Sequence, residues 1–261
     1  MTGASRAWPG EIVGHRGAAG LAPENTLEGF AAAVAAGVDR IELDVRRTSD
    51  RRVVVFHDFK LDRLHPDADG RIGRTVSRCT LAQMREIDVG AALGRPGCHV
   101  PSLDETLDAF GSRVPLNVEV KGSGADGLLA LQLTADLVRE RRLEEAVLLS
   151  SSHPSVLRRA QVSVGEIDRA LIVSRKSSGD PIAVATGMAC RAIHPEQSLV
   201  SDALLARCRE AGLAVRPWTV NEEAEMRRLV DRGVDGIVTD RPDVLARLLG
   251  RGRSSAGTMP P

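Results

Sequence analysis

Four short strings in the first half of the chain combine residue types and spacings that can do chemistry: His15-Arg16-Gly17, Glu42-Leu43-Asp44, His57-Asp58 and Glu119-Val120-Lys121. On a strand, side chains two apart share a face. Glu42 and Asp44 therefore point one way while Ile41, Leu43 and Val45 point the other, and Glu119 shares a face with Lys121. Three converging carboxylates raise one another's pKa unless a cation neutralises them, and an all-oxygen donor set suits a hard divalent ion, Mg²⁺ or Ca²⁺. Glu42, Asp44 and Glu119 are thus the candidate metal ligands. A single such carboxylate pair commonly meets only solvent or an arginine; three carboxylates beside two histidines point to a site. His15 and His57, with an ordinary pKa of about 6.5, can serve as general acid and base. Arg16 offers a planar fork to phosphate oxygens. Of the 35 basic residues only Lys60, Lys121 and Lys176 are lysines. A compact ammonium at Lys121 suits contact with a developing negative charge.

These strings need a scaffold that gathers them. Apolar runs bounded by turn residues recur at 11–14, 40–45, 52–56, 116–120, 146–149, 170–173, 192–194, 214–218 and 236–238. Helix-patterned segments lie between most of them, at 27–36, 128–141, 154–160, 201–211, 222–232 and 242–249. Strand followed by helix, repeated, predicts a parallel sheet. The link at 46–51 is too short for a parallel crossover, which takes about a dozen residues. Segment 52–56 therefore returns as a hairpin turning at Ser49-Asp50, and eight parallel strands remain. The fold class is α/β, a (β/α)8 TIM-type barrel over 1–250, with an insertion at about 58–100 that carries a short helix near 81–88. A barrel helix at 103–110 follows it. In such barrels the C-terminal strand ends build the active site, and all four strings fall there. Pro23-Glu24-Asn25-Thr26 precedes an apolar helix, with Asn25 or Thr26 as the expected N-cap. Gly14-x-x-Gly17-x-x-Gly20 follows a strand but lacks the dinucleotide-binding spacing.

Composition narrows the partners. Across 261 residues, 35 basic and 35 acidic side chains give a formal net charge of +0. No global field therefore favours nucleic acid or an anionic membrane. Aromatic residues are only 2% of the chain, too few for base-stacking platforms. The sequence shows neither a membrane-spanning apolar stretch nor a leader pattern, so no stable membrane insertion and a cytoplasmic location are expected. Cys79, Cys98, Cys190 and Cys208 have no metal-like or disulfide-framework spacing and read as unbridged thiols. The small, polar tail at 251–261 reads as disordered.

Taken in order with Pro101-Ser102-Leu103, Asn117-Val118, Ser150-Ser151, Trp218-Thr219-Val220-Asn221 and Asp235-Gly236-Ile237-Val238-Thr239-Asp240, these strings resemble the glycerophosphodiester phosphodiesterase family over almost the whole chain. The resemblance implies a barrel enzyme whose small-molecule substrate is a glycerophosphodiester. It implies a divalent cation, Mg²⁺ or Ca²⁺, on Glu42, Asp44 and Glu119; His15 and His57 as acid and base; and Arg16 with Lys121 on the phosphate. The expected reaction uses the glycerol 2-hydroxyl as internal nucleophile and passes through a cyclic phosphate, with the initial base unassigned between the two histidines. Ser152-His153-Pro154 and Leu64-His65-Pro66 depart from the family pattern and leave the head group open. With aromatics so scarce, any cage for a choline group rests on Trp218 and Phe59. Two alternatives stay open: a lyase resembling phosphatidylinositol phospholipase C, and a non-catalytic phosphodiester-binding relative.

Overall fold

Alternation along 40–47 sets the frame of the molecule: Ile41, Leu43 and Val45 are fully buried in an apolar layer beneath the helices. Side chains on a strand alternate between faces, which leaves Arg40, Glu42 and Asp44 to face the barrel axis. The computed structural model describes residues 8–63 and 74–251. The expected disordered tail, from position 252 on, and Leu64-His65-Pro66 lie outside the described residues.

The elements alternate as expected. First come β1 (Glu11–Gly14), α1 (Leu27–Ala35), β2 (Arg40–Arg47) and β3 (Val53–Val55), then α2 (Leu81–Arg85) in the insertion. There follow α3 (Leu103–Phe110), β4 (Leu116–Val120), α4 (Gly124–Glu140), β5 (Val147–Ser151), α5 (Pro154–Ser163) and β6 (Asp168–Val173). The chain continues with α6 (Pro181–Gly187), β7 (Ala192–Pro195), α7 (Asp202–Glu210), β8 (Ala214–Val215), α8 (Glu223–Asp231), β9 (Gly236–Thr239) and α9 (Pro242–Leu248). Eight strands pair in parallel in the order β8-β7-β6-β5-β4-β2-β1-β9, a nearly closed barrel, while β3 lies antiparallel against β2 with Val45 opposite Val55. Its turn is pinned where Thr48 Oγ1 donates to Asp50 Oδ1 at 2.6 Å.

Two details depart from the sequence reading. β8 stops at Val215 instead of 218, because Pro195 of β7 has no N–H for the Arg216 carbonyl and Pro217 has none to offer β9. Single bonds then span the gap to β9, from the Val238 N–H to the Pro217 carbonyl and from the Val220 N–H to the Val238 carbonyl, both 2.9 Å. Helix α6 leaves no mark in the apolar periodicity because it is short and built of small residues; its one clear signal is Asp180 capping before Pro181. Of the two expected caps of α1, Thr26 takes the position, its hydroxyl accepting the Gly29 N–H at 2.9 Å.

The barrel wall packs around Phe30 and Phe110, whose rings meet edge to face with centroids 5.8 Å apart, a favoured aromatic geometry. A separate apolar cluster, with Val54, Phe56, Met84, Ile87 and Val100, joins the hairpin to the insertion. At the N-terminal end of the axis, Glu11 accepts from Arg40 at 3.2 Å and from Arg216 at 2.7 Å. The largely buried arginines are neutralised there. The four cysteines are buried and none is in a disulfide, and among the described residues no helix is long and apolar enough to cross a membrane.

Candidate active site

The turn after β1 runs through left-handed backbone at Arg16 (φ 49°) and Gly17 (φ 90°). Glycine is needed at 17, since a Cβ would also lie 2.7 Å from the Gly29 carbonyl carbon of α1, and only glycine enters this backbone region without steric cost. Just before this turn, His15 is placed over the barrel mouth, with Nδ1 2.6 Å from Asp240 Oδ1. Asp240 follows β9, the strand hydrogen-bonded to β1. Asn221 holds that carboxylate, donating to Oδ2 at 2.6 Å and accepting the Asp240 N–H at 2.9 Å. Burial by itself would lower the pKa of His15, but the Asp240 hydrogen bond and the charge of Glu42 outweigh it and raise the pKa above its ordinary value. His57, at the end of the hairpin, places Nδ1 2.7 Å from Asp58 Oδ1. Here burial, aided by the nearby cations of Lys121 and Arg16, lowers the pKa despite Asp44 and Asp58.

Between the histidines lie the three carboxylates. Adjacent strands bring Asp44 opposite Glu119, and oxygens of Glu42, Asp44 and Glu119 lie within 4.8 Å of one another. Burial, then the charge of Asp44, pushes Glu42 up to about 8; burial also raises Glu119. Asp44 goes the other way: burial opposes its ionisation, but Lys121, Arg16 and His57 hold it well below the usual range. Lys121 Nζ sits 2.7 Å from Glu119 and 3.1 Å from Asp44. The Arg16 N–H donates to Glu42 at 2.8 Å, its Nη1 donates to Glu24 at 2.9 Å, and its Nε lies 3.4 Å from Asp44. Buried carboxylates whose pKa is pushed upward are short of positive charge, and all their donors are oxygen. The cluster fits a hard divalent cation.

A cavity of about 230 Å³ opens onto these groups. His15, Arg16, Glu42, His57, Glu119, Lys121 and Trp218 all line it, while Asp44 lies beneath, 1% exposed. Trp218 is fixed by its indole N–H, which donates to the His194 carbonyl at 2.7 Å. Phe59, the other expected aromatic, lies in a neighbouring cavity with the Arg46 guanidinium 5.9 Å from its ring centroid. No aromatic pair forms there, and a cation already sits near the ring that a quaternary ammonium would need.

A model of the glycerophosphoryl diester phosphodiesterase family matches residues 15–244. A glycerophosphodiester phosphodiesterase of Caldanaerobacter subterraneus is 31% identical over 92% of this chain and 98% of its own. The chain belongs to the glycerophosphoryl diester phosphodiesterase family. Two solved structures agree. An Oleispira antarctica phosphodiesterase in complex with the product sn-glycerol-3-phosphate is 25% identical, with a TM-score of 0.82 over 92% of this chain and 96% of that one. A glycerophosphodiester phosphodiesterase from Agrobacterium tumefaciens is 27% identical, with a TM-score of 0.78 over 91% of this chain and 99% of that one.

In this family member several supporting residues escape the sequence reading. Asn25, a candidate cap by sequence, instead donates to Asp44 Oδ2 at 2.9 Å and accepts the Asp44 N–H at 3.2 Å. Its left-handed backbone (φ 55°) turns it there, a conformation that asparagine tolerates better than most residues. Asp240 has a usable signal: in a closed barrel the last strand neighbours the first, so an acid after β9 meets a histidine after β1. Arg63 has none. It donates to Asp58 and to Glu24, both at 2.6 Å, linking the partner of His57 to the partner of Arg16.

Proposed function

We propose that this chain hydrolyses glycerophosphodiesters to an alcohol and glycerol 3-phosphate, with Mg²⁺ or Ca²⁺ held by Glu42, Asp44 and Glu119. One observation carries the proposal: two histidines with opposite protonation preferences face a single three-carboxylate cluster inside one cavity. The bound cation would acidify a nearby hydroxyl and offset phosphoryl charge. His57, favoured neutral, takes the proton of the glycerol 2-hydroxyl as that oxygen bonds to phosphorus. His15, favoured protonated, gives its proton to the alcohol oxygen as the bond from phosphorus to that oxygen breaks. The two then exchange roles while water opens the cyclic phosphate. Lys121 has three donors; two face Glu119 and Asp44, and the third is left for a phosphate oxygen. Arg16 lines the same wall and contacts the phosphate beside it, and Trp218 offers its indole to the glycerol carbons.

The decisive test incubates the protein and Mg²⁺ or Ca²⁺ with glycerophosphocholine, glycerophosphoethanolamine and glycerophosphoglycerol and follows phosphorus products by NMR. Glycerol 3-phosphate should accumulate. A cyclic phosphate as the end product would mean a lyase, and no product from any of the three would remove the assignment.

The pKa directions also predict a bell-shaped pH profile of kcat/KM. Activity needs His57 deprotonated, so it falls as pH drops through a value below about 6.5; it needs His15 protonated, so it falls again as pH rises through a value above about 6.5. Asp240→Asn removes a support of the His15 imidazolium and should move the basic limb to lower pH while the acid limb stays. Movement of the acid limb instead would reverse the two roles.

A further inference from the structure

A groove of about 670 Å³ adjoins the catalytic cavity, and the two share Ser152, Ile172 and Ser174 as common wall. It runs outward from the mouth past the ends of β6 and β7 toward α6 and α7. Leu171, Val184, Ile193 and Leu204 form an apolar floor. Its charged lining is Arg175, Lys176 and Arg207; no acidic or aromatic side chain lines it among the described residues. Arg175 is paired with Glu196 at 2.7 Å and Arg207 with Asp180 at 2.6 Å, carboxylates that stand outside the groove lining. Lys176 forms no ion pair with a described residue. Its loop is held by the Lys176 N–H to Ser174 Oγ at 3.2 Å, the Ser174 N–H to Ser177 Oγ at 3.0 Å and the Ser177 N–H to the Ser174 carbonyl at 2.9 Å, while the Arg175 N–H reaches Glu196 at 3.3 Å.

The catalytic cavity has about a third of the groove's volume, and its charged groups gather around the three-carboxylate cluster. The alcohol beyond the phosphate therefore needs the adjoining space. From this continuity and charge we infer that the groove seats the alcohol half of the diester and selects an anionic polyol, one bearing a second phosphate, over a choline or ethanolamine cation. The inference rests on the proposed hydrolase function and adds the class of alcohol. Lys176, with its charge unspent, supplies the attraction. A quaternary ammonium finds neither a carboxylate nor an aromatic face along the groove and meets like charge instead. The serine hydroxyls serve polyol oxygens, and the apolar floor meets the carbon face.

The test compares kcat/KM for glycerophosphocholine, glycerophosphoglycerol, and glycerophosphoglycerol with a terminal phosphate monoester. The ester with a terminal phosphate should be preferred over the choline ester by on the order of tenfold at low salt, with glycerophosphoglycerol, whose alcohol half is uncharged, between them, and the spread should narrow as salt screens the exposed lysine. Lys176→Glu should bring that ratio to about one or below, with glycerophosphoglycerol, which lacks the second phosphate, less affected than its phosphorylated counterpart. The assignment is overturned by a choline ester that matches the anionic one, or by a ratio that ignores Lys176→Glu. Faster turnover of a 1-acyl glycerophosphocholine than of the deacylated ester would give the floor to an acyl chain and also overturn it. Failure to cleave any of the esters would overturn the hydrolase function beneath it.

Discussion

His57→Ala should lower kcat/KM for a glycerophosphodiester by about 10²- to 10⁴-fold, the usual worth of a positioned proton acceptor, while the protein still binds divalent cation. The His57 side chain is 31% exposed and lies outside the apolar core, so its loss should leave the barrel folded. His15→Ala should be equally damaging with a poor leaving group. The two variants separate when the alcohol is p-nitrophenol, which departs without a proton. Release of p-nitrophenol should then largely return in His15→Ala, with a cyclic phosphate left as its product because His15 is also the base of the second step, and should not return in His57→Ala. Equal recovery in both, or a rate near the unaltered protein's in either, would sink the acid and base assignment.

Removal of divalent cation should cost still more. Several kcal/mol of charge stabilisation at the phosphoryl group corresponds to a loss of about 10³-fold or greater, reversed by adding back Mg²⁺ or Ca²⁺. A second readout is independent of turnover. Saturation at about a hundred times Kd should stabilise the folded protein by about 2.7 kcal/mol, a rise of roughly 5–10 °C in Tm for a chain of this size. Glu119→Gln leaves a side chain of similar shape, yet it removes a negative donor and should abolish both the thermal shift and the activity. A thermal shift that survives in Glu42→Gln and Glu119→Gln alike would place the ion elsewhere.

The hairpin shows how much a local rule can settle. Six residues between Val45 and Arg52 cannot carry a parallel crossover, and the antiparallel pairing of β2 with β3 follows from that length alone. Glu42-x-Asp44 and Glu119-x-Lys121 are legible for a similar reason: a strand has a period of two, so facing is set by spacing. Asn25, Arg63 and Asp240 are different. Each acts on a residue between 5 and 225 positions away in the chain, and which partner it meets depends on how the barrel closes and how the insertion folds back. Pro217 and α6 fall between: their composition is readable, but the length of β8 depends on competing backbone partners across the seam.

By itself, then, the amino-acid order determined the alternation of strand and helix, the faces of the acidic pairs and the two histidines at strand ends, because each follows from short-range geometry. Only the tertiary structure decided that His15 is raised by Asp240 and His57 lowered by burial among cations, that the Arg46 guanidinium lies over Phe59, and that an adjoining groove carries a lysine without an ion pair to a described residue. Charge and desolvation act through space over a few ångströms, and the chain order does not specify that neighbourhood until the barrel closes.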